Sequence, residues 1–514
     1  MKFPIGIQTF DELRTKGFVY IDKTDLVYQL VSKGKYYFLS RPRRFGKSLL
    51  LSTFEAYFKG KKYLFEGLKI GELEKEWNSY PVIHIDMNQA MYKESDDVKD
   101  VLNNALSSLE ETYGKRESET SITLRFNGII KRIAEQTGKQ VVILIDEYDK
   151  PLVSNIANDE LQASYRTMLK SFYSCLKTQD KYIQFAFITG VTKFSKVSIF
   201  SDLNNLEDIS MLPQYSNLCG ITEEELHNYF DDEISDLSKT LAISKDECYE
   251  NLKNNYDGYH FCEDSVGVYN PFSLLNTLKN QKFKDYWFET GTPTFIVQLL
   301  KNTNYELSDL TEEKVDADII NGIDTASMNP IPVIYQSGYL TIKDYDEIFG
   351  LYKLGFPNGE VERGFTKFLI PHYTSIASNK GVSTISQLVE AINTGNIQKL
   401  MTLLDVFFAG GNYQIVGDTE LYFHNAVYII FKMIGFYTQV EYPTSDGRMD
   451  MVVQTKDYIY IFEFKIDKSA DEALLQIEEK QYALQFSTDN RKLFKIGVNF
   501  SSETRRIDNW KISE

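Results

Sequence analysis

Cysteine is scarce in this 514-residue chain: Cys175, Cys219, Cys248 and Cys262 stand far apart, with no Cys-x-x-Cys pair. That spacing excludes a disulfide framework and a thiolate zinc site, and buried free thiols are expected. No stretch approaches the roughly 18 apolar residues that a bilayer-crossing helix needs, and Met1-Lys2-Phe3-Pro4 lacks the apolar core of a signal peptide. A cytoplasmic protein with no membrane partner is therefore expected. Internal repeats and a disordered tail are also lacking. Positive charge is in deficit, 56 Lys and Arg against 73 Asp and Glu, and the net charge of −17 opposes non-specific attraction to nucleic acid. The stretch from Ile397 to Glu514 holds 13 basic and 17 acidic residues, so most of the acidic surplus lies elsewhere.

What is present is the material of several packed cores. The chain is 43% hydrophobic and 25% charged, with 34 Tyr and 34 Phe, and its length predicts two to four domains.

Tyr36-Tyr37-Phe38-Leu39-Ser40 reads as a buried strand, Arg41 to Gly46 as a turn, and Lys47 to Phe58 as a helix with Leu49, Leu50 and Phe54 on one side. This is the setting of a phosphate-binding loop. Gly46 lets backbone approach phosphate, the helix start offers free N–H donors, Lys47 would reach the β- and γ-phosphates, and Ser48 would ligate Mg²⁺. Arg41 stands where the first glycine of such loops is usual. Val141-Val142-Ile143-Leu144-Ile145 is a parallel-sheet type of strand ending in Asp146 and Glu147. Asp146 would hold Mg²⁺ and Glu147 would orient or deprotonate the attacking water. Two more strands, 81–86 and 184–190, alternate with helices expected at Asp96–Thr112, Ser121–Thr137 and Leu161–Leu176. Thr189, at a strand end, is a candidate γ-phosphate sensor. An arginine could complete hydrolysis, and Arg43, Arg44 and Arg166 are the candidates.

These residues resemble the bacterial AAA-ATPase-like family. The resemblance is carried by Tyr20-Ile21-Asp22-Lys23-Thr24, by Ser40 to Ser48, by Asp146-Glu147-Tyr148-Asp149 and by Thr189 to Ser195. Tyr256-Asp257-Gly258-Tyr259, Tyr269-Asn270-Pro271-Phe272 and Gly291-Thr292-Pro293-Thr294 extend it past residue 290. It implies that Arg41 is usual at its position, and Arg41 and Arg44 join Gly46, Lys47, Ser48, Asp146 and Thr189 as expected nucleotide contacts. It also implies an α/β multidomain chain: an AAA+ P-loop NTPase parallel sheet, a helical lid or middle region, and a C-terminal α/β restriction-endonuclease-like domain of the PD-(D/E)xK superfamily. The expected boundaries are 1–220, 221–375 and 388–514.

In the middle of the chain, Thr222 and Glu225 form a capping-box pattern for a helix from Ile221 to Phe230. Residues 256–296, dense in aromatics, glycine and proline, read as packed irregular structure, with His260 structural. Tyr335 to Ile342 reads as a strand with a hairpin partner at 348–354, and Pro371 to Gln387 as a linker.

Near the C-terminus, Arg448–Thr455 and Tyr458–Lys465 read as strands separated by Lys456-Asp457. A two-residue loop sets Asp450 directly opposite Glu463, with Cβ atoms about 4.5–5.5 Å apart. Both carboxylates could then hold one divalent cation. Alternation puts Glu463 and Lys465 on one face and Phe462 and Phe464 on the other. Lys465 could stabilise charge developing at a scissile phosphate beside a metal-activated water. A helix from Glu420 to Ile434 brings Glu420 as a further metal ligand, and a helix from Ala470 to Phe486 carries Gln476. The order Glu420, Asp450, Glu463-Lys465, Gln476 resembles PD-(D/E)xK nucleases.

An ATPase coupled to a Mg²⁺-dependent nuclease follows as the expected function, with ATP and Mg²⁺ as cofactors. Glu147, Glu463 and Lys465 are its catalytic residues, and Ser48, Asp146, Glu420, Asp450 and Glu463 its metal ligands. The expected partner is nucleic acid, DNA before RNA, with a homo-oligomer or a partner protein beside it. The rival expectation is an ATP-dependent regulatory switch whose nuclease-like domain binds nucleic acid or protein without cutting.

Overall fold

The computed structural model describes residues 1–156, 158–194, 199–200, 203–290, 294–311, 314–323, 329–374, 376–377, 380–408, 419–441 and 450–513, with backbone alone at 290, 294, 321, 419, 420, 441 and 450. Ser195, Gly291 to Pro293 and Gly447 to Met449, which belong to the motifs above, lie outside the described residues. The chain forms two compact units, Met1–Gly291 with Thr311–Val361, and Thr292–Leu310 with Glu362–Glu514.

In the first unit β1 (Tyr36–Ser40), β2 (Val82–Asp86), β3 (Val141–Asp146), β4 (Ile183–Gly190) and β5 (Glu207–Asp208) make one parallel sheet in the order β2-β3-β4-β1-β5. β1 and β3 are buried along their whole length, which is why their sequences are apolar runs and not alternations. Helices Lys47–Phe58, Asp97–Tyr113, Ile122–Thr137 and Asp159–Tyr173 fall between the strands, each within three residues of its expected bounds. Ser121 caps one, accepting from Leu124 N at 3.2 Å, and Gly138 ends it in a left-handed turn. The chain leaves β1 for β2 on one side while β5 adds on the other. Crevices at the carboxyl ends of strands arranged in this way are where ligands bind.

The expected capping box is present: Thr222 Oγ1 accepts from Glu225 N, Glu225 Oε2 accepts from Thr222 N, and the helix runs from Glu223 to Leu241. Its buried face, with those of helices Lys245–Tyr256 and Pro271–Asn280, forms a core that also takes Phe3, Ile5, Val19 and Ile21 from the chain's start. The helix Pro271–Asn280 corrects the irregular reading of 256–296. Asn270 Oδ1 accepts from Phe272 N (2.9 Å) and Ser273 N (3.3 Å), and Pro271 opens the first turn, a start signal that the surrounding aromatics obscured. Tyr256, Tyr259, Tyr269 and Trp287 are buried as core residues, and His260 donates its N–H to Thr341 Oγ1 at 2.7 Å.

The strand expected from Tyr335 begins later. Residues Ile331–Gln336 are helical, Gly338 turns the chain at φ 88°, and the strand Thr341–Asp346 pairs antiparallel with Leu351–Gly355. Gly338 sits so close to the phosphate loop that a Cβ there would lie 2.6 Å from Pro42 Cβ. The linker expected at 371–387 is mostly helix, Gly359–Tyr373 followed by Gly381–Asn393. Leu369, Ile370, Ile385 and Leu388 are buried at helical spacing and outweigh the polar residues among them.

The second unit is built on a sheet of β6 (Gln439–Glu441), β7 (Asp450–Gln454), β8 (Tyr458–Ile466), β9 (Lys492–Ser501) and β10 (Arg506–Ser513), in that order. Only β8 and β9 run parallel, joined through the helix Ala470–Glu479. That helix stops short of the expected Phe486. Gln481 turns left-handed (φ 53°), and the 3₁₀ turn Tyr482–Phe486 lays Tyr482 and Phe486 against Val452, Ile459, Ile461 and Ile477.

Candidate functional site

In the first unit, the residues after β1 surround a cleft of about 360 Å³. Gly46 closes the loop at φ 95° with nothing within 4 Å of where a Cβ would stand, so the position needs glycine for its backbone and leaves open space above it. Lys47, 5% exposed, donates from Nζ to the carbonyls of Arg41 (2.9 Å) and Pro42 (3.0 Å). Ser48 lines the same wall. Arg44, also left-handed (φ 68°), holds its guanidinium 5.2 Å from the Phe272 ring centre, a cation–π contact. The next residues along belong to the same clamp: Trp287 Nε1 donates to Arg43 O at 3.1 Å, and Phe45 packs edge-on to Tyr259.

The acidic end of β3 faces this cleft. Asp146, 5% exposed, accepts from Thr189 Oγ1 at 2.5 Å and from Glu147 N at 3.0 Å, and sits opposite Asp86 of β2. Burial, and then the Asp146 charge, push the Asp86 carboxyl upward. Glu147 lines the cleft in a left-handed conformation (φ 49°), a strained backbone of the kind found at working sites. Burial raises its carboxyl above the usual range, against the pull of the Lys47 charge.

Arg44, Gly46, Lys47, Ser48 and Glu147 thus surround one cleft, with Asp146 and the fully buried Thr189 behind them. Arg41 does not join them. Its guanidinium, 1% exposed, donates to the carbonyls of Ser40 (2.9 Å), Ser210 (2.8 Å) and Tyr215 (3.1 Å) and lies 3.9 Å from the Phe261 ring centre. It braces the loop from inside. Arg166 is also elsewhere, with Nε on Gln162 and its guanidinium over Phe194. Five cleft-lining elements escaped sequence reading: Pro4 to Gln8, Asn88, Lys150, Phe272 and Leu275. The Asn270-Pro271 cap could have flagged Phe272; nothing local marks the others. A larger cavity, about 490 Å³, lies by Phe200 and the Lys193–Asp208 ion pair; none of the expected site residues is among its described lining.

In the second unit, the backbone register sets Asp450 opposite Glu463 and Gln454 opposite Ile459, the pairing that a two-residue loop requires. The Glu420 and Asp450 side chains lie outside the described residues. Glu463 is 1% exposed; Lys465 Nζ donates to its Oε1 at 2.6 Å and to Gln476 Oε1 at 2.5 Å. Phe462 and Phe464 turn to the opposite face, where both pack against Phe431 of the helix Thr419–Gly435. Among the described residues, Glu463 Oε2 and Gln476 Nε2 are buried with no hydrogen-bond partner. A buried carboxylate oxygen without a partner is costly, and a divalent cation is the group that would satisfy it. No set of three acidic, histidine or cysteine side chains converges among the described residues.

Fold and sites together define a class: a P-loop nucleotide-binding unit joined to a nuclease-fold unit. Residues 4–200 match the family model described as Predicted AAA-ATPase, and residues 418–510 match that of the PD-(D/E)XK nuclease superfamily. A protein of Azotobacter chroococcum mcd 1, titled "Uncharacterized protein in vnfD 5'region", is 34% identical over 516 residues, 98% of each chain. The chain belongs to the AAA-ATPase-like family and carries a C-terminal PD-(D/E)XK nuclease-superfamily domain. Among solved structures, the Aeropyrum pernix ORC2 protein (ADPNP-ADP complexes) aligns at 11% identity over 68% of this chain and 93% of that one. Its TM-score of 0.25 is too low to support any inference.

Proposed function

We propose that this chain is an ATP hydrolase coupled to a Mg²⁺-dependent nuclease that acts on nucleic acid, DNA in preference to RNA, with nucleotide state governing the second site. The observation that carries the reading is Glu463 Oε2, without a partner among the described residues, buried beside Lys465 and in register with Asp450. Asp450 and Glu463 would hold the cation, with Glu420 as a further ligand, and the cation supplies an activated water and a Lewis acid at the phosphate. Lys465 stays within reach of the same oxygens to neutralise charge as the phosphodiester is attacked. In the first unit Ser48 and Asp146 would hold the nucleotide's Mg²⁺, Lys47 its phosphates, and Glu147 the attacking water, with Thr189 fixing the Asp146 carboxylate. Pro4 to Gln8, Phe272 and Leu275 offer the less polar end of the cleft to the base. Work in the cytoplasm suits the four buried free thiols.

A second reading, a switch whose nuclease-like unit binds a protein without cutting, draws on one feature. The helix that brings Gln476 to Lys465 exposes Asp471, Glu472, Glu478 and Glu479; Lys511 and Lys495 pair with Asp471 and Glu478, and the acid left in excess disfavours a polyanion. The test is incubation of wild type, Glu463→Gln and Lys465→Met with Mg²⁺ or Mn²⁺ and plasmid, linear DNA or RNA. Cleavage by wild type alone is expected; identical traces for all three would sink the nuclease reading and leave the switch. Lys47→Ala should abolish ATP binding.

A further inference from the structure

The nucleotide cleft contains a cation that neither motif accounts for. Lys150 lines the wall that Glu147 lines, and its ammonium has no hydrogen bond or ion pair among the described residues. Its placement is tightly determined. Asp149, fully buried, takes Val191 N (3.1 Å), Thr192 N (2.6 Å) and Thr192 Oγ1 (2.5 Å). Tyr148, buried beside it, donates to Thr192 O at 3.0 Å, and Lys150 N donates to Glu147 O at 3.0 Å. With Tyr148 and Asp149 locked inward, the turn presents Glu147 and Lys150 to the cleft. Of the other cations, Lys47 is on two loop carbonyls, Arg44 over Phe272, and Arg166 beside Gln162 and Phe194, while Arg43 lines the same cleft with its carbonyl held by Trp287.

We infer that Lys150 is a catalytic residue of the ATPase, touching the γ-phosphoryl oxygens from within the chain, so that hydrolysis needs no cation from a neighbouring copy. The inference rests on the ATPase reading above. In the step, the water oxygen bonds to the γ-phosphorus as the bond to the β–γ bridging oxygen breaks. The electron pair leaves on ADP, and the water's proton passes to Glu147 and then to solvent. Charge on the three equatorial oxygens, greatest in the transition state, faces the ammonium.

The test uses the full chain. Lys150→Met should lower kcat about 100-fold, the usual loss on removing one preorganised stabilising group, while ATP affinity changes little. Its affinity for ADP with aluminium fluoride should fall, its affinity for ADP alone should not, and Lys150→Arg should recover much of the rate. Wild-type turnover per chain should stay constant on dilution, and mixing Lys150→Met with Lys47→Ala protein should restore nothing. A Lys150→Met kcat within twofold of wild type, recovery on mixing, or turnover that falls on dilution would each overturn the inference while leaving an active ATPase. A wild type that neither binds nor hydrolyses ATP would refute the ATPase reading and this inference with it.

Discussion

Titrating the full chain with Mn²⁺ in the absence of nucleotide tests the C-terminal site without reference to cleavage. Glu463 is 1% exposed; one oxygen takes Lys465 and the other has no partner among the described residues. A cation bound there stabilises the folded unit by RT ln(1 + [M]/Kd), about 2.7 kcal/mol at a hundredfold excess over Kd. For a unit of about 170 residues, where 1 kcal/mol moves a midpoint by about 2–4 °C, its calorimetric transition should rise by about 5–10 °C. Glu463→Gln keeps the shape and removes the charge, and the rise should shrink to about 2 °C or less. Lys465→Met has the opposite effect. In chelator it strands a buried carboxylate, costing about 3–5 kcal/mol; Mn²⁺ then replaces the missing positive charge, so the metal-induced rise should exceed that of wild type. Equal rises in wild type and Glu463→Gln, or none in either, would refute the metal assignment.

Three further outcomes are expected. Because burial raises the Glu147 carboxyl, the base becomes protonated at a higher pH than an ordinary glutamate, and kcat should fall with decreasing pH above the usual value of about 4.3. A pH–rate profile checks this, with Glu147→Gln binding ATP but turning over at no pH. Trp287→Phe keeps the ring and loses the 3.1 Å bond to Arg43 O; at about 1 kcal/mol, ATP Kd measured by calorimetry should rise about fivefold. Arg41→Met leaves the carbonyls of Ser40, Ser210 and Tyr215 without their donor and should lower stability in urea unfolding, at about 1–3 kcal/mol for a buried acceptor left unsatisfied.

What could be read in advance was whatever a short window encodes. The parallel strands announced themselves as apolar runs because both of their faces are covered. The Asp450–Glu463 register followed from a two-residue loop, since strand pairing leaves no freedom once the turn length is set. Arg41 was misassigned because its neighbours in sequence are phosphate-loop residues, while its partners, Ser210 and Tyr215, lie about 170 residues away and are visible only in the fold. Lys150 and Pro4 to Gln8 escaped for the same reason: they reach the cleft through tertiary packing that no periodicity reports. The supposed linker failed differently: Ser383, Ser386 and Gln387 lie on the exposed side of the helix Gly381–Asn393, whose buried side carries Ile385 and Leu388.

The grip of Trp287 on Arg43 spans 244 residues of chain, and Gly338 meets Pro42 from further still. A nascent chain therefore exposes its phosphate loop long before the parts that clamp it exist. At about 5–20 residues per second, the interval from Arg43 to Trp287 is roughly 12–50 s. Throughout that time the sheet can assemble around an unclamped loop, so the full grip on the loop is acquired late in synthesis.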